Sequence, residues 1–213
     1  MKTTVKKFKK NGYVVLKNFI PKEMAEFLSD YLLVQKELNK ASGAIGGDIQ
    51  VPDAERIPAG DPTLESLYLS HSQKVEEATG LNLLPTYIYG RTYKTGNTLA
   101  PHTDRPACEI SATVKLAESE DYSWPIWVAD SCVELEVGDA LLYRGCDLMH
   151  WRDKCKANDD YYLTQIFVHF VEQNGIYHDY AFDKNEERYK VLSQAKVNKT
   201  SRTKGENALL IQQ

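Results

Sequence analysis

The sequence predicts a mostly β chain resting on a helical N-terminal layer, and three observations predict it. From Leu84 to Val171 the chain breaks into short β-prone runs separated by Gly, Pro, Asn and Asp clusters, the texture of a sandwich or barrel. Ahead of that stretch, Met24, Phe27, Leu28, Tyr31 and Leu32 recur at three-to-four spacing and make one apolar helix face. At 213 residues the chain is long enough for a single domain with a sizeable core.

The elements follow in order. Residues 12–19, Gly-Tyr-Val-Val-Leu-Lys-Asn-Phe, are β-branched and aromatic and read as a strand. Pro21 stands where a first helical turn tolerates proline. Residues 42–60 are rich in Gly, Pro and Asp and read as a loop. Asp61-Pro62 supplies a cap and first turn for a second helix, which runs to about Ala78 and closes at Gly80. The β runs fall at 85–93, 110–116, 125–129, 133–137, 140–144 and 161–171. Within them, Val133-Glu134-Leu135-Glu136-Val137 alternates strictly, as a half-buried strand does, and Gly138-Asp139 then turns the chain. After 181 the sequence turns polar; it reads as helical to about Leu192 and loose beyond. The expected organisation is one domain over 1–181, with a helical support layer at 19–80, a β core at 84–171 and a polar tail at 182–213.

Composition excludes several function classes. Hydrophobic residues are 42% and charged residues 26%, ordinary for a globular chain, and a net charge of −4 argues against nucleic acid or a membrane surface as partner. No apolar run approaches the ~20 residues of a membrane span. The basic N-terminus has no apolar signal core behind it, so the expected location is cytoplasmic. Cys108, Cys132, Cys146 and Cys155 form no CxxC pair and are expected as free thiols.

The chemistry-bearing residues all lie in the β part. His102 and Asp104, in Pro101-His102-Thr103-Asp104-Arg105, follow one β run, and His150 follows another. A His and a carboxylate two apart on an extended segment point to the same side. A second His from a neighbouring strand completes one triangular face of an octahedron, the facial triad of non-haem iron(II) oxygenases. On these residues alone, a cupin-like metalloenzyme that needs no 2-oxoglutarate and a non-catalytic jelly-roll binding module are also open readings.

These motifs, in this order, resemble the Fe(II)/2-oxoglutarate-dependent dioxygenases, in particular their prolyl-hydroxylase-like branch. The resemblance runs from about Gly12 to about Val171 and is carried by three pieces. They are the Gly-Tyr-Val-Val-Leu…Phe-Ile-Pro segment, the series Tyr87-x-Tyr89…Tyr93-x-x-Gly96…His102-x-Asp104, and Gly138-Asp139-Ala140-Leu141-Leu142-Tyr143…His150. It implies a double-stranded β-helix core of the jelly-roll or cupin type. It implies iron(II) on His102, Asp104 and His150, with 2-oxoglutarate and O2 as co-substrates. The reaction implied is hydroxylation of an unactivated C–H bond in an amino acid, a peptidyl residue or another small molecule. Halogenating relatives carry a small residue in place of the carboxylate, so Asp104 points to hydroxylation over halogenation; desaturation and ring formation, which differ only after hydrogen abstraction, stay open.

Members of that family usually carry an Arg or Lys roughly ten residues past the distal His, paired with the far carboxylate of 2-oxoglutarate. Here positions 160 and 161 are Asp and Tyr. Arg152, two residues past His150, is the favoured replacement, with Arg91 second and Arg144 as a further basic residue. Tyr87, Tyr89 and Tyr93 alternate along one strand face, either as hydrogen-bond donors to the co-substrate or as core aromatics, and Gln165 is a further candidate contact. On the substrate side stand Arg105, Trp127 and Trp151, with Trp124 at the barrel mouth. His169, alone in an apolar strand, reads as a structural histidine.

Overall fold

The computed structural model of the protein describes residues 2–43, 48–119 and 122–196. The N-terminal layer is helix α1 (Lys2–Asn11), strand β1 (Tyr13–Leu16), helix α2 (Lys22–Ala41), strand β2 (Glu55–Ile57) and helix α3 (Pro62–Thr79). The β part comprises β3 (Leu83–Lys94), β4 (Leu99–His102), β5 (Ile110–Glu118), β6 (Ile126–Val128), β7 (Ser131–Val133), β8 (Ala140–Arg144), β9 (His150–Arg152) and β10 (Tyr162–Glu172). A 3-10 turn spans Pro106–Cys108, a longer 3-10 segment spans His178–Lys184, and residues 186–196 are helical.

The strands form two antiparallel sheets among the described residues. The larger has the order β1-β8-β5-β10-β3-β2 and the smaller the order β4-β9-β6-β7. From β3 to β10 the chain passes back and forth between them, with β6 and β7 as a hairpin inside the smaller sheet. This is a jelly-roll core.

Alternation along the central strands decides what faces the interior. On β10, Ile166, Val168 and Phe170 join α2, α3 and Phe8 of α1 in one apolar cluster behind the larger sheet. Leu163 and Phe167 point the other way and meet Tyr87, Tyr89, Tyr93 and Leu99 between the sheets. Both faces are covered, so β10 reads as a nearly continuous apolar run, and Gln165 and His169 are buried polar exceptions in it. The helices sit close because β3 offers Gly90, where a Cβ would lie 3.0 Å from Leu32 of α2.

Helix α3 forms where the sequence says it should. The Asp61 carboxylate accepts the Leu64 N–H at 3.0 Å, and Gly80 ends the helix at φ +72°, a left-handed conformation that suits glycine. Other expectations need correction. Helix α1, a basic run in the sequence, is anchored by a sparse apolar face, with Phe8 buried and Val5 against Gly80. Pro21 is the residue before the first turn of α2 rather than inside it. The loop at 42–60 contains β2. The alternating run 133–137 keeps its burial pattern, but pairing stops at Val133. There the Leu135 carbonyl accepts Lys115 Nζ instead, and Asp139 Oδ2 takes the Glu136 N–H. The tail is helical past Leu192 to residue 196, and the rest of it lies outside the described residues. All four cysteines are free thiols, and Cys146 is half-buried rather than in the core. No helix among the described residues is long and apolar enough to cross a membrane.

Candidate metal centre

His102 and His150 sit directly opposite each other on β4 and β9, so strand register alone brings the two rings together, with centroids 4.2 Å apart. Each ring is oriented in the same way. Nδ1 of His102 lies 2.9 Å from the Ala100 carbonyl, and Nδ1 of His150 lies 2.9 Å from the Leu148 carbonyl. A carbonyl only accepts, so each Nδ1 carries the proton and each Nε2 presents a lone pair. Those nitrogens converge on Oδ1 of Asp104, at 3.7 Å for His102 and 3.6 Å for His150. The three donor atoms all lie within 4.8 Å of one another.

The electrostatics favour the ligand forms. Burial and the neighbouring His150 lower the His102 pKa, which keeps the ring neutral. For Asp104, burial alone would raise the pKa, but the neighbouring His150 and His169 rings and the Ser111 hydroxyl outweigh it and hold the carboxyl ionised. Exposure is graded, with side chains 22% exposed at His102, 12% at Asp104 and 3% at His150, so the site opens on the His102 side.

The carboxylate is seated in a cradle. Its backbone N–H donates to the Gly145 carbonyl at 2.8 Å, and its Oδ2 accepts from Ser111 Oγ at 3.0 Å. A Cβ at position 145 would approach both the Cys108 carbonyl and Asp104 Oδ2 well inside the 3.0 Å that real Cβ atoms keep. Gly145→Ala should therefore displace the carboxylate. The expected result is a fall in Co(II) affinity of about 10–100-fold, the scale on which supporting contacts act at metal sites; an unchanged titration would count against this placement.

A cavity of about 270 Å³ opens beside the three donors, lined also by Tyr89, Arg91, Phe167 and His169. Arg91 is fully engaged there. Its Nε and Nη2 meet both oxygens of buried Asp48 at 2.9 and 2.8 Å, Nη1 donates to Tyr93 Oη at 2.8 Å, and Nη2 also reaches Gln50. A second chamber of about 210 Å³ is lined by Arg152, Gln165, Lys115, Glu118 and Trp124. Arg152 is 2% exposed and has no carboxylate partner among the described residues. It donates to the Trp124 carbonyl and to Gln165 Oε1, while its Nε and the Gln165 Nε2 find no partner. Burial lowers the Arg152 pKa. Lys115, by contrast, pairs with Glu118.

The structure thus gathers some expected residues and separates others. Tyr87, Tyr89, Arg91 and Tyr93 do share the inward face of β3. Tyr89 lines the cavity, Tyr87 stacks behind it at 6.0 Å, and Tyr93 lies between the two guanidiniums. Gln165 belongs to the Arg152 chamber. Trp127 and Trp151, expected near substrate, are cross-strand partners on the face of the smaller sheet opposite His150. They stack on each other at 5.6 Å outside the cavity, because neighbouring strand residues face opposite ways. Arg105 pairs with Asp183 at 2.8 Å and lies over the Tyr87 ring, away from the cavity lining. Arg144 pairs with Glu172. His169 is the reverse case: read as structural, it lines the cavity, and its Nε2 has no partner. Ser111, Gly145 and Asp48 were missed. Only the inward alternation of 110–116 could have drawn attention to Ser111.

No family model and no curated protein matches the chain. Solved structures do. A prolyl-4-hydroxylase from Pseudomonas putida is 15% identical, with a TM-score of 0.57 over 80% of this chain and 98% of that one. EctD from S. alaskensis is 15% identical with a TM-score of 0.64, over 81% of this chain and 77% of that one. HygX from Streptomyces hygroscopicus, solved with nickel and 2-oxoglutarate bound, is 16% identical with a TM-score of 0.56, over 79% of this chain and 87% of that one. At such identities the likeness speaks for architecture: the chain has the jelly-roll fold of the 2-oxoglutarate-dependent oxygenases.

Proposed function

We propose that this protein is an iron(II) oxygenase that couples 2-oxoglutarate decarboxylation to hydroxylation of an unactivated C–H bond. The substrate class is an amino acid, a peptidyl residue or another small molecule. The observation that carries the reading is the convergence of two imidazole Nε2 atoms and one carboxylate oxygen, all within 4.8 Å, on the wall of a cavity. Two nitrogens and one carboxylate on one face suit iron(II) and leave positions open for co-substrate and oxygen. Bound iron with 2-oxoglutarate and O2 would supply the oxidising chemistry, with succinate and carbon dioxide as co-products. The structural neighbours include a prolyl-4-hydroxylase and a member of the 2OG-Fe(II) oxygenase family, and two neighbours were solved with both a metal and 2-oxoglutarate in place.

The chain's own residues do the rest. His102 and His150 are held in the tautomer that ligates, and Asp104 is kept ionised. Arg152 is the better anchor for the distal carboxylate. It is a buried cation with no ion pair among the described residues, and its Nε and the Gln165 Nε2, both without partners, belong to residues that line the same chamber. Arg91 has Asp48 in that role already. Tyr89, Phe167 and Arg91 wall the cavity and limit water around the reacting centre. The test is succinate formation from 2-oxoglutarate by the Fe(II)-loaded protein, with and without a panel of amino acids and peptides. Metal binding without succinate under any condition would favour a cupin-like metalloenzyme. Wild type and His102→Ala binding Fe(II) or Co(II) equally weakly would remove the triad itself.

A further inference from the structure

We propose that Ser111 and His169 act as a positioning pair that restricts Asp104 to metal binding through one oxygen. The proposal rests on the reading that the triad binds iron(II), and it concerns two residues outside that triad.

Ser111 on β5 and His169 on β10 are direct cross-strand partners, so the ladder itself brings them together. Ser111 Oγ has three polar neighbours. They are Asp104 Oδ2 at 3.0 Å, the Cys108 carbonyl at 3.2 Å and His169 Nδ1 at 2.9 Å. A hydroxyl has one proton to give, and both the carboxylate and the carbonyl can only accept. The arrangement that makes most of these contacts has His169 Nδ1–H donating to Ser111 and Ser111 giving its one proton to Asp104, the nearer of the two acceptors. The imidazole is fixed in that role. It is 3% exposed, and it packs 4.7 Å from the Tyr87 ring and 5.8 Å from the Tyr89 ring.

The consequence lies in which carboxylate oxygen is free. Oδ2 is occupied by Ser111, while Oδ1 faces the two imidazole nitrogens. Gly145 packs against the Oδ2 side of the carboxylate so closely that no Cβ would fit between them. An octahedral ion with three single-atom protein donors has three positions left. A chelating co-substrate and oxygen would together need all three. A carboxylate that swung to bind through both oxygens would take one of those positions. Holding Oδ2 therefore protects the number of open sites as well as orienting the ligand. The same tautomer leaves His169 Nε2 as a bare acceptor on the cavity wall, consistent with its lack of a protein partner.

The experiment compares Ser111→Ala, Ser111→Thr and His169→Phe with wild type, using Co(II) and then 2-oxoglutarate added to the Co(II)-loaded protein as probes. Ser111→Ala and His169→Phe should lower Co(II) affinity by about 10–100-fold and weaken 2-oxoglutarate binding at matched metal occupancy. Ser111→Thr, which keeps the hydroxyl, should restore both. Nitrogen-15 NMR of wild type should show His169 protonated at Nδ1 and bare at Nε2. The proposal is overturned if the variants bind both probes as wild type does, or if His169 carries its proton on Nε2. Should Ser111→Ala not fold, the His169→Phe titration and the tautomer decide. The His102→Ala titration stands apart: if it matched wild type, the triad would fail, whereas a normal triad with silent Ser111 and His169 variants would sink only the pair.

Discussion

Asp104→Ala is expected to abolish metal binding and, with it, succinate formation. The reasons compound. The substitution removes the one anionic donor and leaves two imidazoles, which hold a divalent ion poorly. It also leaves Ser111 Oγ without its carboxylate acceptor and opens space against Gly145. The loss of Co(II) affinity should exceed the about 10–100-fold that supporting contacts carry at metal sites. The fold should survive, because the core clusters on both sides of the larger sheet do not involve this residue. Circular dichroism and a metal titration together check it. A folded Asp104→Ala protein that still releases succinate would show that the reaction is centred elsewhere.

Arg152→Ala is expected to raise the half-saturating concentration of 2-oxoglutarate by about ten- to a hundredfold while metal affinity stays as in wild type. Hydrogen bonds to charged groups contribute about 1.5–3 kcal/mol, and each 1.4 kcal/mol is about a factor of ten. Arg91→Ala should behave differently. It strands Asp48, whose side chain has no exposure, as an unpaired buried charge, a loss of about 3–5 kcal/mol in stability. Thermal unfolding alongside 2-oxoglutarate titration separates the two. If Arg91→Ala folds and shifts the 2-oxoglutarate requirement while Arg152→Ala does not, the anchor is Arg91.

The contrast between the two arginines shows where sequence reading ran out. Both lie in β segments near the ligands, and their partners come from far along the chain. Asp48 sits in a loop whose composition says only that it is a loop, and Gln165 and Trp124 reach Arg152 across the fold. The triad was legible because a two-residue spacing within one extended segment survives any tertiary arrangement. Strands β4 and β9 were not. They are four and three residues long, one contains Pro101, and neither has a periodicity to read. Helix α3 was legible because its cap and its glycine stop are local chemistry, and the alternation of β3 because both of its faces are used. His169 shows a limit of the pattern, because burial in an apolar strand looks the same whether the second nitrogen meets protein or a cavity.

The cross-strand placement of His102 and His150 has one more consequence. Backbone pairing of β4 with β9 is irregular in register, and its backbone bonds resume beyond the strands, between Gly96, Asn97 and Cys155. An ion gripped by both imidazoles would act as a rivet between segments separated by much of the β core. Because only the folded chain presents the two rings together, the ion's binding free energy adds to the stability of the native state. Amide exchange should then slow at β4 and β9 on metal addition far more than in the long ladder of β3 with β10, which is already secured along its whole length.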